Sequence, residues 1–269
     1  MFKRIALSCL ALVAALAASF TVVQAKSLDD IIKDGVIRIG INPNFPPNSA
    51  RAASGDWEGF DIDVGNKIAE ALGVKVEWVP TETPQRVPFL VADKIDISLG
   101  ALTRSSERAK LIEYTVPLHT EVMAVLTTDK LDIKDWKELD NSKYTLANMR
   151  GNWSVDYLKK ELPNAKMELV DTIADTVRLV AQGRADAIVE NIDFFMKHTK
   201  NYPDVKWKVL PNPIDIGWDA IGVQRGNYPL RDFLNIVLYN LHTSNFVNDT
   251  WEKWYGAPML VKVVPNPYF

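Results

Sequence analysis

Thr103 and Arg108 lie at the end of the stretch Asp96-Ile97-Ser98-Leu99-Gly100-Ala101-Leu102-Thr103-Arg104-Ser105-Ser106-Glu107-Arg108, which brings a hydroxyl, turn backbone and a guanidinium into one short segment. Free N–H groups at a helix start attract anions, and a guanidinium fork meets a carboxylate with two parallel hydrogen bonds. The chemistry on offer is the clamping of a small carboxylate. Spacing alone leaves a second reading open, in which Thr103 is a cap and Arg108 an exposed helix arginine beside Glu107.

Three further features have the same character. Phe45 sits between prolines in the loop Asn42 to Asn48, placed either to cover an apolar ligand surface or to plug the edge of the core. Arg86 opens a short helical pattern and offers a second positive group to a cleft, or solvates that helix start. Glu190-Asn191-Ile192-Asp193 follows a strand pattern at its carboxyl end, the edge of an open α/β sheet where ligands bind. Enzymatic motifs are missing. His119, His198 and His242 are far apart, no nucleophile elbow or phosphate-binding glycine loop occurs, and the single cysteine, Cys9, lies near the start of the chain. No cofactor or metal is expected.

These residues must be positioned by an alternation of strands and helices. Leu28 to Lys33 reads as a helix, Val36 to Ile41 as a strand, Gly59-Phe60-Asp61 as the start of a helix with Ile62, Ile68, Ala69 and Leu72 on one face and Gly73 as its stop, and Val74 to Val79 as a strand. A turn at Thr81 to Pro84, a short helix through Val87 to Val91 and a strand through Ile95, Ile97 and Leu99 complete a β-α-β rhythm of parallel type. Glu121 to Thr127 is a long extended run expected to leave this sheet and enter a second one. There the pattern repeats: strand Tyr144 to Asn148, tight turn Arg150 to Asn152, helix Ser154 to Leu162, strand Lys166 to Val170, helix Ile173 to Gln182, strand Ala187 to Val189. Ile214 to Val223 is extended again and carries the chain back to helices Leu230 to Leu241 and Phe246 to Tyr255. Two rims facing each other make a cleft, and two crossing strands make a hinge.

Composition agrees with a globular protein. The 269 residues are 47% hydrophobic and 24% charged, enough for a sizeable core. Net charge is −3 and no run of lysine or arginine exceeds two residues, which excludes a phosphate-backbone partner. Lys3 and Arg4, the apolar run Ile5 to Phe20 and the small residue Ala25 read as a secretory signal peptide over residues 1–25. Its removal leaves a mature chain without cysteine, expected in the periplasm and held together by its core rather than by cross-links.

Gly59-Phe60-Asp61-Ile62-Asp63-Val64, Lys94-Ile95-Asp96, Leu102-Thr103 with Glu107-Arg108, Gly183-Arg184-Ala185-Asp186-Ala187 and Lys253-Trp254-Tyr255-Gly256 together resemble the hallmarks of the polar-amino-acid-binding periplasmic proteins. These are the family 3 extracellular solute-binding components of ABC importers. The resemblance implies an α/β, two-lobed periplasmic binding protein fold (type II), with lobe 1 over residues 26–120 and 218–269 and lobe 2 over 121–217. It also implies a monomer that encloses an amino acid or related carboxylate and delivers it to a membrane permease. By position, Arg108 would hold the α-carboxylate, assisted by Thr103 and by the backbone at Ala101 and Leu102. Phe45 would stack on the ligand, Asn42 and Arg86 would lie near it, and Asn152 and Trp153 would complete the carboxylate site from lobe 2.

Two positions depart from that pattern. Asn191 stands where the family commonly has an aspartate for the ligand's α-ammonium, so either Glu190 or Asp193 supplies the charge or the ligand lacks an ordinary ammonium. Asn152 and Trp153 replace small hydroxyl residues; the indole either shrinks the pocket, stacks on a flat ligand, or packs beneath its own helix. The resemblance also leaves a cyclohexadienyl (arogenate/prephenate) dehydratase-like enzyme, with Glu190 or Asp193 as general acid, and a sensory receptor component as alternatives.

Overall fold

The computed structural model describes residues 26–192, 198–256 and 258–267, so the signal peptide reading and Asp193 fall outside the described residues. Helix α1 (Leu28–Asp34) starts at a reciprocal cap between Ser27 and Asp30 and stops at Gly35, whose positive φ admits the left-handed cap. Strand β1 (Val36–Ile41) then carries the chain to the loop that holds Phe45. That segment is more ordered than its prolines and asparagines predict. Strands β2 (Asn44–Phe45), β3 (Ser49–Arg51) and β4 (Trp57–Glu58) form a small antiparallel sheet of their own, each too short to leave an alternating pattern.

Helix α2 (Phe60–Leu72) follows, burying Phe60, Val64, Ile68 and Leu72 at helical spacing. Gly59 before it has φ 131°, and a Cβ there would lie 2.2 Å from the Asn48 carbonyl oxygen. The close approach lets Asn48 and Pro47 accept the first N–H groups of the helix, from Asp61 at 2.9 Å and Phe60 at 3.1 Å. The loop bearing Phe45 is thereby pinned to the start of α2.

Strand β5 (Lys75–Pro80) pairs parallel with β1, and after helix α3 (Arg86–Val91) strand β6 (Ile97–Ser98) pairs with β1 on its other edge. A single turn of helix, α4 (Ser106–Ala109), is capped by the Ser105 side chain and leads into β7 (Ile112–Thr128), seventeen residues of continuous strand. The second set of units is β8 (Thr145–Met149), α5 (Trp153–Glu161), β9 (Lys166–Val170), α6 (Ile173–Ala181) and β10 (Ala187–Asn191). Strand β11 (Trp207–Val209), not foreseen, pairs with β7. Strand β12 (Asp215–Gln224) and helices α7 (Tyr228–Thr243) and α8 (Phe246–Tyr255) end the fold.

The expectation of two separate sheets is corrected by the pairing. The order β5-β1-β6-β12-β7-β10-β8-β9 is one continuous path, because β7 and β12 run antiparallel side by side from Ile112↔Gln224 to Met123↔Asp215. On one side of this ribbon lies a core of Ile37, Ile39, Phe60, Ile68, Leu234 and Trp251, and on the other a core of Met123, Val125, Leu146, Leu158 and Val189. Each half buries its own apolar set, so the paired crossing strands are the natural axis of motion between them. No helix among the described residues is long and apolar enough to cross a membrane.

Candidate ligand site

The loop after β6 is fixed from beneath. Asp61, at the start of α2 and fully buried, accepts the Gly100 N–H at 3.0 Å. Arg86, 4% exposed, donates from Nε to the Thr83 carbonyl at 3.0 Å and from Nη1 to the carbonyls of Gly100 and of Ala101, the latter at 2.7 Å. Ala101 itself has φ 52°, a conformation held by these bonds on both sides. Arg86 therefore serves as a brace for the anion loop, and burial together with the nearby Arg108 charge pulls its pKa down to about 10.

Arg108 occupies the seam between the halves. Its Nη1 donates to the Thr103 carbonyl at 2.9 Å and its Nη2 to the Gly151 carbonyl, on the turn after β8, at 3.1 Å. Gly151 has φ 75°, and a Cβ there would lie 3.0 Å from Pro84 Cα, so the two rims touch. A cavity of about 320 Å³ opens at this seam, lined by Pro84, Arg86, Leu102, Arg108 and Gly151 among others. Thr103 is buried, with its Oγ1 lacking any hydrogen-bond partner. Phe45 and Ala101 pack into one apolar cluster with Leu126, Ala147, Met149 and Ile173 of the other half, which closes the cleft on a second side.

The remaining expected residues divide by role. Asn42 is buried in loop contacts, giving Nδ2 to Thr83 Oγ1 at 3.0 Å and accepting from the Asn44 N–H at 3.0 Å. Leu102, expected beside the ligand, packs in a cluster with Leu90, Ile95 and Ile112. Asn152 caps α5, accepting from the Ser154 N–H at 3.1 Å. Trp153 lies over Gly217, where a Cβ would meet its ring at 3.2 Å and Thr103 Cγ2 at 3.0 Å, and it packs edge-on to Tyr157. The indole thus lies beneath its own helix and reaches the neighbourhood of Thr103 as well. Glu190 is buried under the start of α5, accepting from Ser154 Oγ at 3.2 Å and from the Asn191 N–H at 3.2 Å. Asn191 is buried at the end of β10, opposite Met123.

Sequence reasoning passed over three acids. Asp61 looked like a helix-start residue, Glu121 the first residue of an apolar run, and Asp219 part of a returning strand. All three are buried, and Asp219 Oδ2 lies 3.3 Å from His119 Nδ1. A carboxylate inside a run of Val, Met, Ala and Leu was the one available signal for Glu121. Burial raises the pKa of Asp61 and of Glu190 to about 8 in each case and lowers those of His119 and His242.

A pH dependence follows from these directions. At pH 6.5, the ordinary histidine value, an unfolded histidine is half protonated while the buried His119 and His242 are held lower, so these two favour folding slightly as pH rises, an effect that fades by about pH 7.5. Between pH 6.5 and 8, Asp61 and Glu190 hold protons chiefly when folded, so rising pH favours the unfolded chain by up to about 1.4 kcal/mol per group per pH unit, which outweighs the histidines. Thermal denaturation of ligand-free protein is expected to show Tm falling by roughly 5–10 °C between pH 6.5 and 8. A Tm that rises over this window would contradict the placement of these acids.

Residues 37–257 match the family model for bacterial extracellular solute-binding proteins, family 3. An L-arginine-binding protein of Pseudomonas aeruginosa is 32% identical over 92% of this chain and 96% of its own length. The cyclohexadienyl dehydratase of the same organism is 22% identical over 93% and 92%. The crystal structure of an ancestral amino acid-binding protein, a precursor of cyclohexadienyl dehydratase, superposes with a TM-score of 0.77 at 29% identity, covering 85% of this chain and 99% of that one. This chain belongs to the bacterial extracellular solute-binding proteins of family 3, and its fold is the two-lobed α/β fold of periplasmic amino-acid-binding proteins.

Proposed function

We propose that this protein captures an amino acid or a closely related small carboxylate between two closing lobes and passes it to the membrane permease of an ABC importer. Lobe 1 comprises residues 26–120 and 218–269, and lobe 2 residues 121–217, with β7 and β12 as the hinge. The observation that carries this reading is the Arg108 guanidinium, bridging the Thr103 carbonyl and the Gly151 carbonyl across the seam beside the unpartnered Thr103 Oγ1. A ligand carboxylate entering here meets a two-pronged donor and a hydroxyl, and closure of the Gly151 turn over it excludes water. The name of the L-arginine-binding relative supports the amino acid class. Residues 1–25 direct export to the periplasm, and the mature chain works as a monomer without catalysis.

Closure is driven by the difference in affinity for the ligand between open and closed forms. Thermal-shift screening of the mature chain against amino acids, opines and small carboxylates tests the class. The reading expects a rise in Tm with at least one amino acid or amino-acid-like carboxylate and none with the corresponding carboxamides.

One observation favours a second, enzymatic reading. Glu190, buried and with a pKa of about 8, holds a proton at neutral pH and is suited to act as a general acid on a bound ring. Incubation with prephenate or arogenate tests it. Formation of an aromatic product, lost in Glu190→Gln, would establish turnover; absence of product leaves capture as the sole activity.

A further inference from the structure

We propose that Glu121, on hinge strand β7 and backed by Asp219 of β12, is the counter-ion for the ammonium group of the bound ligand. The inference rests on the capture of an amino acid by Arg108 and Thr103 and adds the seat for its positive end.

The hinge register places the group. Glu121 pairs with Gly217 and His119 with Asp219, and residues opposite one another, or two apart along a strand, share a face. His119, Glu121, Gly217 and Asp219 therefore lie on one face of the ribbon. Thr103 forms an antiparallel bridge with Asp219 and joins that face. Gly217 has no side chain, and the space above it is taken by Thr103 Cγ2 and the Trp153 ring. Glu121 thus stands next to the anion hook, on the floor between Thr103 and the start of α5.

Thr103 Oγ1 beside Gly217 lacks a hydrogen-bond partner, and opposite Gly217 the Glu121 carboxyl is hydrogen-bonded only to another acid, Asp219; the two residues are 3% and 2% exposed. An unpaired hydroxyl and two buried carboxyls sharing one bond are costly in a folded interior, which fits a site completed by a ligand. Acids outnumber cations around Glu121, which is why they hold protons in the empty site. Glu121 faces Asp219 and Glu190, both acidic, and Arg86 is the cation acting on it. Asp219 in turn faces His119, whose burial keeps it neutral. Arg86 directs Nε and Nη1 at three backbone carbonyls, and Arg108 directs Nη1 and Nη2 at those of Thr103 and Gly151. Asn191, at the lobe 2 position where the resemblance expects an aspartate, contributes no charge. An ammonium group supplied by the ligand is the partner that lets Glu121 ionise, which the chain's own cations do not.

The exchange has a defined proton balance. In the empty site, burial and the Asp219 carboxyl keep Glu121 protonated well above the ordinary carboxylate range. When an ammonium approaches, Glu121 ionises, its proton leaves to solvent, and the ammonium keeps its own protons. Binding of an amino acid at pH 7 therefore releases up to one proton per molecule bound.

The test uses the purified mature chain, with the standard L-amino acids and the matching α-hydroxy acids as probes. The amino acid giving the largest thermal shift, and its hydroxy analogue, are titrated calorimetrically at pH 7 in phosphate and in Tris, whose ionisation enthalpies differ. Wild type is expected to release close to one proton with the amino acid and to bind the hydroxy acid roughly 100-fold more weakly. Glu121→Gln should release none and lose roughly 30-fold or more in affinity for the amino acid, with the hydroxy acid affected less than about threefold. Equal affinity of Glu121→Gln for the amino acid, unchanged proton release in that variant, or hydroxy acids binding as tightly as amino acids overturns the proposal. Should Glu121→Gln fail to fold, proton release by wild type decides alone, and zero release overturns it. Arg108→Ala separates the two readings: it should weaken both probes alike. If it weakens neither while Glu121→Gln weakens the amino acid, the hook fails and the counter-ion stands; if no probe binds wild type, both fall.

Discussion

Arg108→Ala is expected to weaken ligand binding by about 2–5 kcal/mol, roughly 30- to 5,000-fold in Kd, measured by calorimetry on the mature chain. The size follows from what the substitution leaves behind. In the closed form a ligand carboxylate would be buried beside Thr103, and removing the guanidinium leaves it without its charged partner. The variant also loses the bond to the Gly151 carbonyl that ties the two rims together. Arg108→Lys should recover only part of the loss, since a single ammonium cannot reproduce a planar fork directed at Thr103 on one side and the opposite rim on the other. Because Arg108 is half-buried on a one-turn helix, the fold itself should change little, and an unaltered Tm would accompany the lost affinity.

Arg86→Ala is expected to do the opposite, destabilising the fold by about 3–5 kcal/mol in urea denaturation. Arg86 satisfies the carbonyls of Thr83, Gly100 and Ala101, and it is the cation that offsets the buried acids Asp61, Glu121 and Glu190. Its loss leaves the carbonyls unpaired and the acids opposed only by one another. In alkaline buffer, where the buried carboxyls give up their protons, adding Glu121→Gln to Arg86→Ala should recover part of the stability, because one of the opposed acids is then neutral. The recovery is readable as a coupling energy between two residues on different elements. Simple additivity in that cycle would show that Glu121 does not feel the Arg86 charge.

These two arginines show what the sequence could and could not reveal. The Thr103 to Arg108 segment was legible because its chemistry is local: a strand pattern ends, a turn follows, and a cap at Ser105 starts the helix that presents Arg108. Helix α8 and strand β9 were legible for the same reason, with the periodicity of each carrying its own boundaries. Arg86 stood at the right place with its role undecided, because whether a helix-start arginine faces solvent or braces a loop depends on Gly100 and Ala101, which arrive from another strand. The acids Asp61, Glu121 and Asp219 meet only when β7 and β12 pair across nearly a hundred residues of intervening chain. No local pattern records that register. The same distance explains the sheet: periodicity identifies each strand, while the joining of two halves into one path is decided by backbone pairing in the ribbon.

Gly151 and Gly217 belong to this second kind of information. At Gly151 the chain turns with positive φ against Pro84, and at Gly217 the missing side chain makes room for Thr103 and Trp153. Both glycines were visible in the sequence as turn or strand residues. Their function as contact points between halves comes from the fold.

The most direct test of the central claim is the crystal structure of the mature chain with the amino acid that gives the largest thermal shift. The account predicts the ligand carboxylate within hydrogen-bonding distance of the Arg108 guanidinium and Thr103 Oγ1, enclosed between the Gly151 turn and the loop bearing Phe45. A ligand bound elsewhere, or one bound in the cleft while Arg108 makes no contact with its carboxylate, would contradict it.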